Sequence, residues 1–220
     1  MTRSIHEGDR NNPLVLTVPG LNGSGPSHWQ SLWEESRTDT VRVELGMWSQ
    51  PRRNAWVSKI DQAVRSSRGP VVLAAHSLGC IAVAWWAQLS SQPWAWPVMG
   101  ALLVAPADLS ARPLAAELAD FAPTPLLPLP FPSILVASED DHWIGLEAAK
   151  NLAACWGSQF VNAGPLGHIN AASGVGWWHE GQHLLDRVIA AGGQSKSASD
   201  ARTILAINGT EAASAAFLGY

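Results

Sequence analysis

Three side chains spread over the chain have the types and the order of a nucleophile, its supporting acid and its base: Ser77, Asp141 and His168. A serine hydroxyl attacks a carbonyl poorly until a histidine takes its proton. That histidine in turn needs an acid to hold its tautomer and stabilise the imidazolium. Ser77 stands in Ala75-His76-Ser77-Leu78-Gly79, at the end of the apolar run Val71-Val72-Leu73-Ala74-Ala75. This is the strand, tight turn and helix of a nucleophile elbow, where small flanking residues let strand and helix backbones approach. The G-x-S-x-G pattern is met at Gly79 and carries Ala75 at its first position, a substitution that still removes bulk from the turn. The same short pattern fits a serine that only caps a helix, so the partners must decide between the two.

In hydrolases with such an elbow the acid follows a later strand and the histidine lies in a late loop. Asp141 comes a few residues after the run Ile134 to Ala137, and His168 follows Gln159 to Val161 through Gly164-Pro165 and Gly167. All three residues are thereby placed at one edge of a sheet, where open α/β folds hold their ligands. Asp140 stands next to Asp141 and competes with it for the place of the acid. Two backbone N–H groups must also face the negative charge that develops on the substrate. Leu78 is expected to supply one and the loop Pro19-Gly20-Leu21-Asn22-Gly23-Ser24-Gly25 the other, assigned to Leu21 with Asn22 as the nearest competitor. That loop has neither the G-x-G-x-x-G nor the lysine of a phosphate cradle.

A second chemistry is spelled by His179-Glu180-Gly181-Gln182-His183, the H-E-x-x-H string of a zinc peptidase. Such a site needs both histidines on one helical face and a third ligand. Gly181 weakens the turn between them, and no downstream H-x-x-G-x-x-H follows; Glu211 is the one further ligand to consider and belongs to a polar tail. No metal or cofactor is expected. Of the other candidates, His76 is expected to be structural, His28 a packing residue, and Asn170 a side chain that fixes the His168 loop. Trp94, Trp96, Trp143, Trp177 and Trp178 are candidates for an acyl pocket.

The elements that must position these residues follow from apolar patterning. Leu14–Val18, Val41–Val43, Val71–Ala75, Ala101–Val104, Ile134–Ala137 and Gln159–Val161 read as strands, and the continuous apolar ones suit a sheet covered on both faces. Between them lie helical patterns over Ser27–Ser36, Arg53–Arg65, Cys80–Ser90, Gly145–Cys155 and Trp178–Ala190. The alternation predicts a mostly parallel sheet of about six strands in a three-layer α/β fold. Residues 107–132, with prolines at 113, 123, 125, 128, 130 and 132, are expected to form an extended, cap-like excursion and one wall of a pocket. The folded domain is expected to span 1–192, with 193–220 a flexible tail beginning Gly193-Gln194-Ser195.

Composition excludes several classes. With 47% apolar and 15% charged residues the chain is not disordered. Its net charge of −4, without a basic run, gives no field for nucleic acid. The polar start and the lack of a long apolar run predict a soluble, cytoplasmic protein that neither spans nor binds a membrane. Cys80 and Cys155 are expected to be small buried groups and not a disulfide.

The segments "VPGLNGSGPSHWQSLW", "AHSLGC", "LPFPSILVASEDD" and "GHINAASGVGWW" together resemble the small bacterial YdeN-like serine hydrolases. Those are related to the retinoblastoma-binding-protein-type hydrolases of the α/β-hydrolase superfamily. The resemblance runs from Val18 to Trp178. It implies an α/β-hydrolase fold with the family's serine on Ser77, its acid on Asp141 and its histidine on His168. One departure is that the family usually has proline after the acid, where this chain has His142. The activity implied is hydrolysis of a small carboxylic ester or related acyl substrate, through an acyl-enzyme and without metal. The alternatives are an interaction module on the same fold or the zinc peptidase.

Overall fold

The computed structural model describes residues 12–90, 97–110 and 113–193. Six strands form one sheet: β1 (Leu14–Val18), β2 (Thr40–Arg42), β3 (Val71–His76), β4 (Val98–Val104), β5 (Ser133–Ala137) and β6 (Gln159–Asn162). Their order is β2-β1-β3-β4-β5-β6, and every neighbouring pair is parallel. Parallel strands need crossovers, and the helices that supply them cover both faces. These are α1 (Trp29–Ser36), α2 (Arg53–Ser66), α3 (Leu78–Leu89), α4 (Leu146–Trp156) and a further helix, α5, over residues 179–193.

The side-chain period of two along each strand divides the core into two layers. Leu16, Val18, Leu73, Ala75, Leu103, Leu135 and Ala137 face α2, α3 and α4. Val15, Val72, Ala74, Leu102, Val104, Ile134 and Val136 face α1 and α5, where Trp29, Trp33, Leu185 and Val188 meet them. α3 is buried nearly all round, which its sequence LGCIAVAWWAQL requires. The three-layer architecture agrees with the sequence expectation.

Differences at the boundaries have local causes. α3 begins at Leu78 and not near Cys80, because the turn at Ser77 leads straight into helical backbone. β4 starts at Val98, three residues before the apolar run that marked it, since pairing with β3 begins there at Val71. α5 continues past Ala190 to the end of the described residues. The proline-rich excursion is less extended than expected: Ala116–Phe121 forms a 3-10 helix that buries Leu118 and Phe121. It is moored to the α3 side of the sheet, where Trp85 Nε1–H donates to the Phe121 carbonyl at 2.8 Å. Cys155 is exposed and not buried, because it lies on the outer face of α4; Cys80 is buried, and both thiols are free.

Four other tryptophans combine core volume with a bond to a distant loop carbonyl. Trp29 donates to Ile169 at 3.0 Å, Trp33 to Trp177 at 2.8 Å, Trp56 to Gly46 at 2.9 Å and Trp156 to Pro125 at 2.7 Å. Among the described residues, no helix is long and apolar enough to cross a membrane. Residues 194–220 of the expected tail and the pocket candidates Trp94 and Trp96 lie outside the described residues, whereas Gly193, expected to open the tail, belongs to α5.

Candidate active site

Ser77 joins β3 to α3 with φ 53° and ψ −123°. A non-glycine residue with positive φ is strained, and the surroundings must hold it there. Its N–H is bound by the Val104 carbonyl at 3.0 Å. The close approach that the elbow needs is visible at two glycines. A Cβ on Gly79 would lie 2.3 Å from the Val18 carbonyl oxygen, and one on Gly20 would lie 2.8 Å from Ser77 Cβ. Although Ser77 occupies the N-cap position of α3, its side chain makes no capping bond. Its Oγ lies instead 2.9 Å from His168 Nε2.

The other edge of the His168 ring faces Asp141. His168 Nδ1 is 2.8 Å from Asp141 Oδ2 and 3.0 Å from Oδ1, and Oδ1 also accepts from the Trp143 N–H at 2.9 Å. The Asp141 side chain is fully buried. An ionised carboxylate accepts only, so Nδ1 carries the proton and Nε2 is left to accept from the Ser77 hydroxyl.

Asp140 points elsewhere. Its Oδ1 accepts from Ser138 Oγ at 2.7 Å and from the Gly167 N–H at 2.6 Å, two donors that hold its carboxyl below the usual range. Ser138 Oγ accepts in turn from the Leu166 N–H at 2.8 Å. Asp140 thus fixes the backbone of the loop that carries His168. His76 holds the same loop from the other side, its Nε2–H donating to the His168 carbonyl at 2.9 Å. Burial pushes His76 well below its ordinary pKa and keeps it neutral. Asn170 fixes the next turn as expected, its Oδ1 accepting from the Ala172 N–H at 2.9 Å.

The loop after β1 separates the two candidates for the second oxyanion donor. The Asn22 N–H is spent on the Trp48 carbonyl at 2.8 Å, and the Gly23 N–H on Gly20 at 3.0 Å. The amides of Leu21 and Leu78 have no acceptor among the described residues. Both residues flank Ser77, Leu21 lining the cavity above it and Leu78 opening α3. That cavity, of about 380 Å³, is walled by Leu118 and Ala107 from the excursion and by Trp143, His28 and His168. Trp143 therefore lines the cavity, whereas Trp178 is buried in the core beside α1 and Trp177 is exposed.

His179, Glu180 and His183 lie on the exposed side of α5. No cluster of three or more His, Cys, Asp or Glu side chains able to hold a metal forms among the described residues. Gly181 has a packing reason, since the Trp178 ring lies 2.1 Å from where its Cβ would stand.

The model of the family described as serine hydrolase matches residues 15–187 of the chain. The chain belongs to this serine hydrolase family. Among solved structures, this serine hydrolase is similar to a protein from Pectobacterium atrosepticum described as a YdeN-like hydrolase. The identity is 30%, with 81% of this chain and 89% of that chain covered at a TM-score of 0.68. It is also similar to the ydeN gene product of B. subtilis, at 19% identity over 74% of this chain and 91% of that chain, TM-score 0.60. A monoacylglycerol lipase of Paleococcus ferrophilus shares the fold at 12% identity over 81% and 96% of the two chains, TM-score 0.59. A search of the curated proteins finds no match. The fold is that of the α/β-hydrolases, and the protein is a serine hydrolase.

Sequence reasoning placed Ser77, Asp141, His168, Leu21 and Leu78 in one region, and the structure brings these five together. It missed that Asp140 and His76 grip the His168 loop and that His28 borders the cavity. Nothing in their spacing carried that signal, because Asp140 and His76 act on backbone brought close only by the sheet and His28 meets the cavity only once the loops around it are placed.

Proposed function

We propose that this serine hydrolase cleaves a small carboxylic ester or related acyl substrate with Ser77 as nucleophile, His168 as base and Asp141 as the acid that orients it. Ser77 Oγ attacks the carbonyl carbon while His168 Nε2 takes the hydroxyl proton, and the N–H groups of Leu21 and Leu78 hold the oxyanion. His168 then returns the proton to the leaving alcohol, whose C–O bond breaks to give an acyl-enzyme. Water, deprotonated by His168, then attacks the acyl carbon; the C–O bond to Ser77 breaks, the acid leaves, and His168 returns the proton to Ser77 Oγ. The observation that carries this reading is the unbroken relay from Asp141 Oδ2 (2.8 Å) through the His168 ring to Ser77 Oγ (2.9 Å), at a strained elbow that opens on the cavity. A volume of about 380 Å³ is at the small end for ligand pockets, which favours a compact substrate.

A fluorophosphonate probe tests the nucleophile. The wild type is expected to be labelled and Ser77→Ala not, with p-nitrophenyl ester hydrolysis reduced on the order of 10⁶-fold in kcat. Labelling that survives Ser77→Ala would sink the assignment. A folded protein that is never labelled would instead favour an interaction module.

A further inference from the structure

His28 has unfinished hydrogen bonding at the edge of the cavity. Its Nδ1 accepts from the Gln30 N–H at 3.2 Å and so caps α1. A ring that accepts at Nδ1 and is neutral carries its proton on Nε2. Burial first, then the nearby Arg42 and His168, depress the His28 pKa to about 4, so the ring is neutral in ordinary buffers. His28 is only 4% exposed, yet Nε2 is a buried side-chain nitrogen with no partner among the described residues. The adjacent His76 ring, 4.7 Å away and edge-on, has its own Nε2–H committed to the His168 carbonyl. Buried donors are almost always satisfied, and the space His28 borders is the one that also holds Ser77 and His168.

We propose that the His28 Nε2–H is a substrate-binding donor that takes an ether, hydroxyl or carbonyl oxygen placed a few atoms from the scissile carbonyl. The enzyme would thereby prefer oxygen-bearing esters to plain alkyl ones. This inference rests on the Ser77 reading above. A site built around such a donor discriminates against an analogue that leaves the donor unpaired, while an apolar pocket distinguishes the same pair weakly.

Isosteric substrates test it on either side of the ester bond: p-nitrophenyl methoxyacetate against p-nitrophenyl butyrate, and 2-methoxyethyl acetate against n-butyl acetate. Each pair exchanges one CH₂ for an oxygen. Dividing the ratio of kcat/KM by the ratio of hydroxide-catalysed rates removes intrinsic reactivity. In the wild type this corrected preference is expected to be about tenfold for oxygen in at least one pair, the scale of one hydrogen bond. His28→Asn keeps an acceptor for the helix cap while its shorter side chain leaves no donor at the Nε2 position, and should bring that preference to about one. His28→Gln carries an amide N–H toward the Nε2 position and should recover part of it. A corrected preference near one for both pairs in the wild type, or one unchanged in His28→Asn, overturns the proposal. Fluorophosphonate labelling run alongside separates the two readings. Loss of labelling in the wild type is a failure of the Ser77 nucleophile, whereas a wild type that labels normally and shows no oxygen preference is a failure of the His28 donor.

Discussion

Replacing each of the two adjacent carboxylates by its amide separates their roles. In Asp141→Asn the Trp143 N–H, 2.9 Å from Oδ1, selects the amide oxygen for that position, which turns the NH₂ toward His168 Nδ1 at the former Oδ2 site, 2.8 Å away. Two donors cannot share that contact, so Nδ1 must become the acceptor and the proton moves to Nε2. An Nε2–H facing Ser77 Oγ at 2.9 Å cannot take the hydroxyl proton. Trapping the wrong tautomer costs about 10⁴-fold in kcat, equivalent to roughly 5 kcal/mol of transition-state stabilisation. In Asp140→Asn, by contrast, one amide oxygen can still accept from Ser138 Oγ and the Gly167 N–H. The loop keeps its anchor, and activity is expected within about threefold of wild type, below roughly 1 kcal/mol. The assay is kcat for p-nitrophenyl butyrate, with thermal unfolding to check that both variants fold. An Asp141→Asn protein within about tenfold of wild type, or an Asp140→Asn protein that loses about 10³-fold, would refute the tautomer reasoning.

Two further outcomes are expected. The neutral histidines beneath the site should make the fold acid-sensitive: below 6.5 the unfolded chain protonates at His28 and His76, while folded His28 resists until about 4 and His76 is also held well down. The unfolded state then binds more protons, so stability falls as pH falls through that window, by about 3 kcal/mol from His28 alone at pH 4. Urea midpoints measured from pH 7 to 4.5 should decline less steeply in His28→Asn, and parallel lines would count against the depressed histidine. Gly79→Ala places a Cβ 2.3 Å from the Val18 carbonyl and 2.6 Å from that of Pro19, neither of which can rotate away. It is expected to cost about 1–3 kcal/mol and to lower Tm by several degrees while slowing fluorophosphonate labelling of Ser77. An unchanged Tm would mean that α3 shifts away from β1 without cost.

The sheet was readable because strands buried on both faces are written as unbroken apolar runs, and β3 shows this most plainly. The meeting of Ser77, Asp141 and His168 was readable because each follows such a run and their chain order is constrained by the topology. The choice between Asp140 and Asp141 was not. Both stand on one short loop, and which carboxylate turns inward depends on the Trp143 and Gly167 amides that receive them. The Ala116–Phe121 turn was hidden for a similar reason, since surrounding prolines argue for extended chain and only the contacts of Leu118 and Phe121 with the α3 side outweigh them. His28 read as packing because one half of its ring does cap and pack. The idle Nε2 appears only when the neighbouring rings have been placed.

The tryptophan bonds to loop carbonyls bear on how such an enzyme can change. Trp29 holds Ile169, the residue after His168, and Trp33 holds Trp177 farther along the same connection, both through main-chain oxygens. A carbonyl oxygen is present whatever side chain the residue carries. The fastening is therefore indifferent to the identity of the loop residues, and mutations there can alter what the cavity admits without loosening His168. Diversification of substrate range is easiest where the anchor sits in the helix and the variable letters sit in the loop.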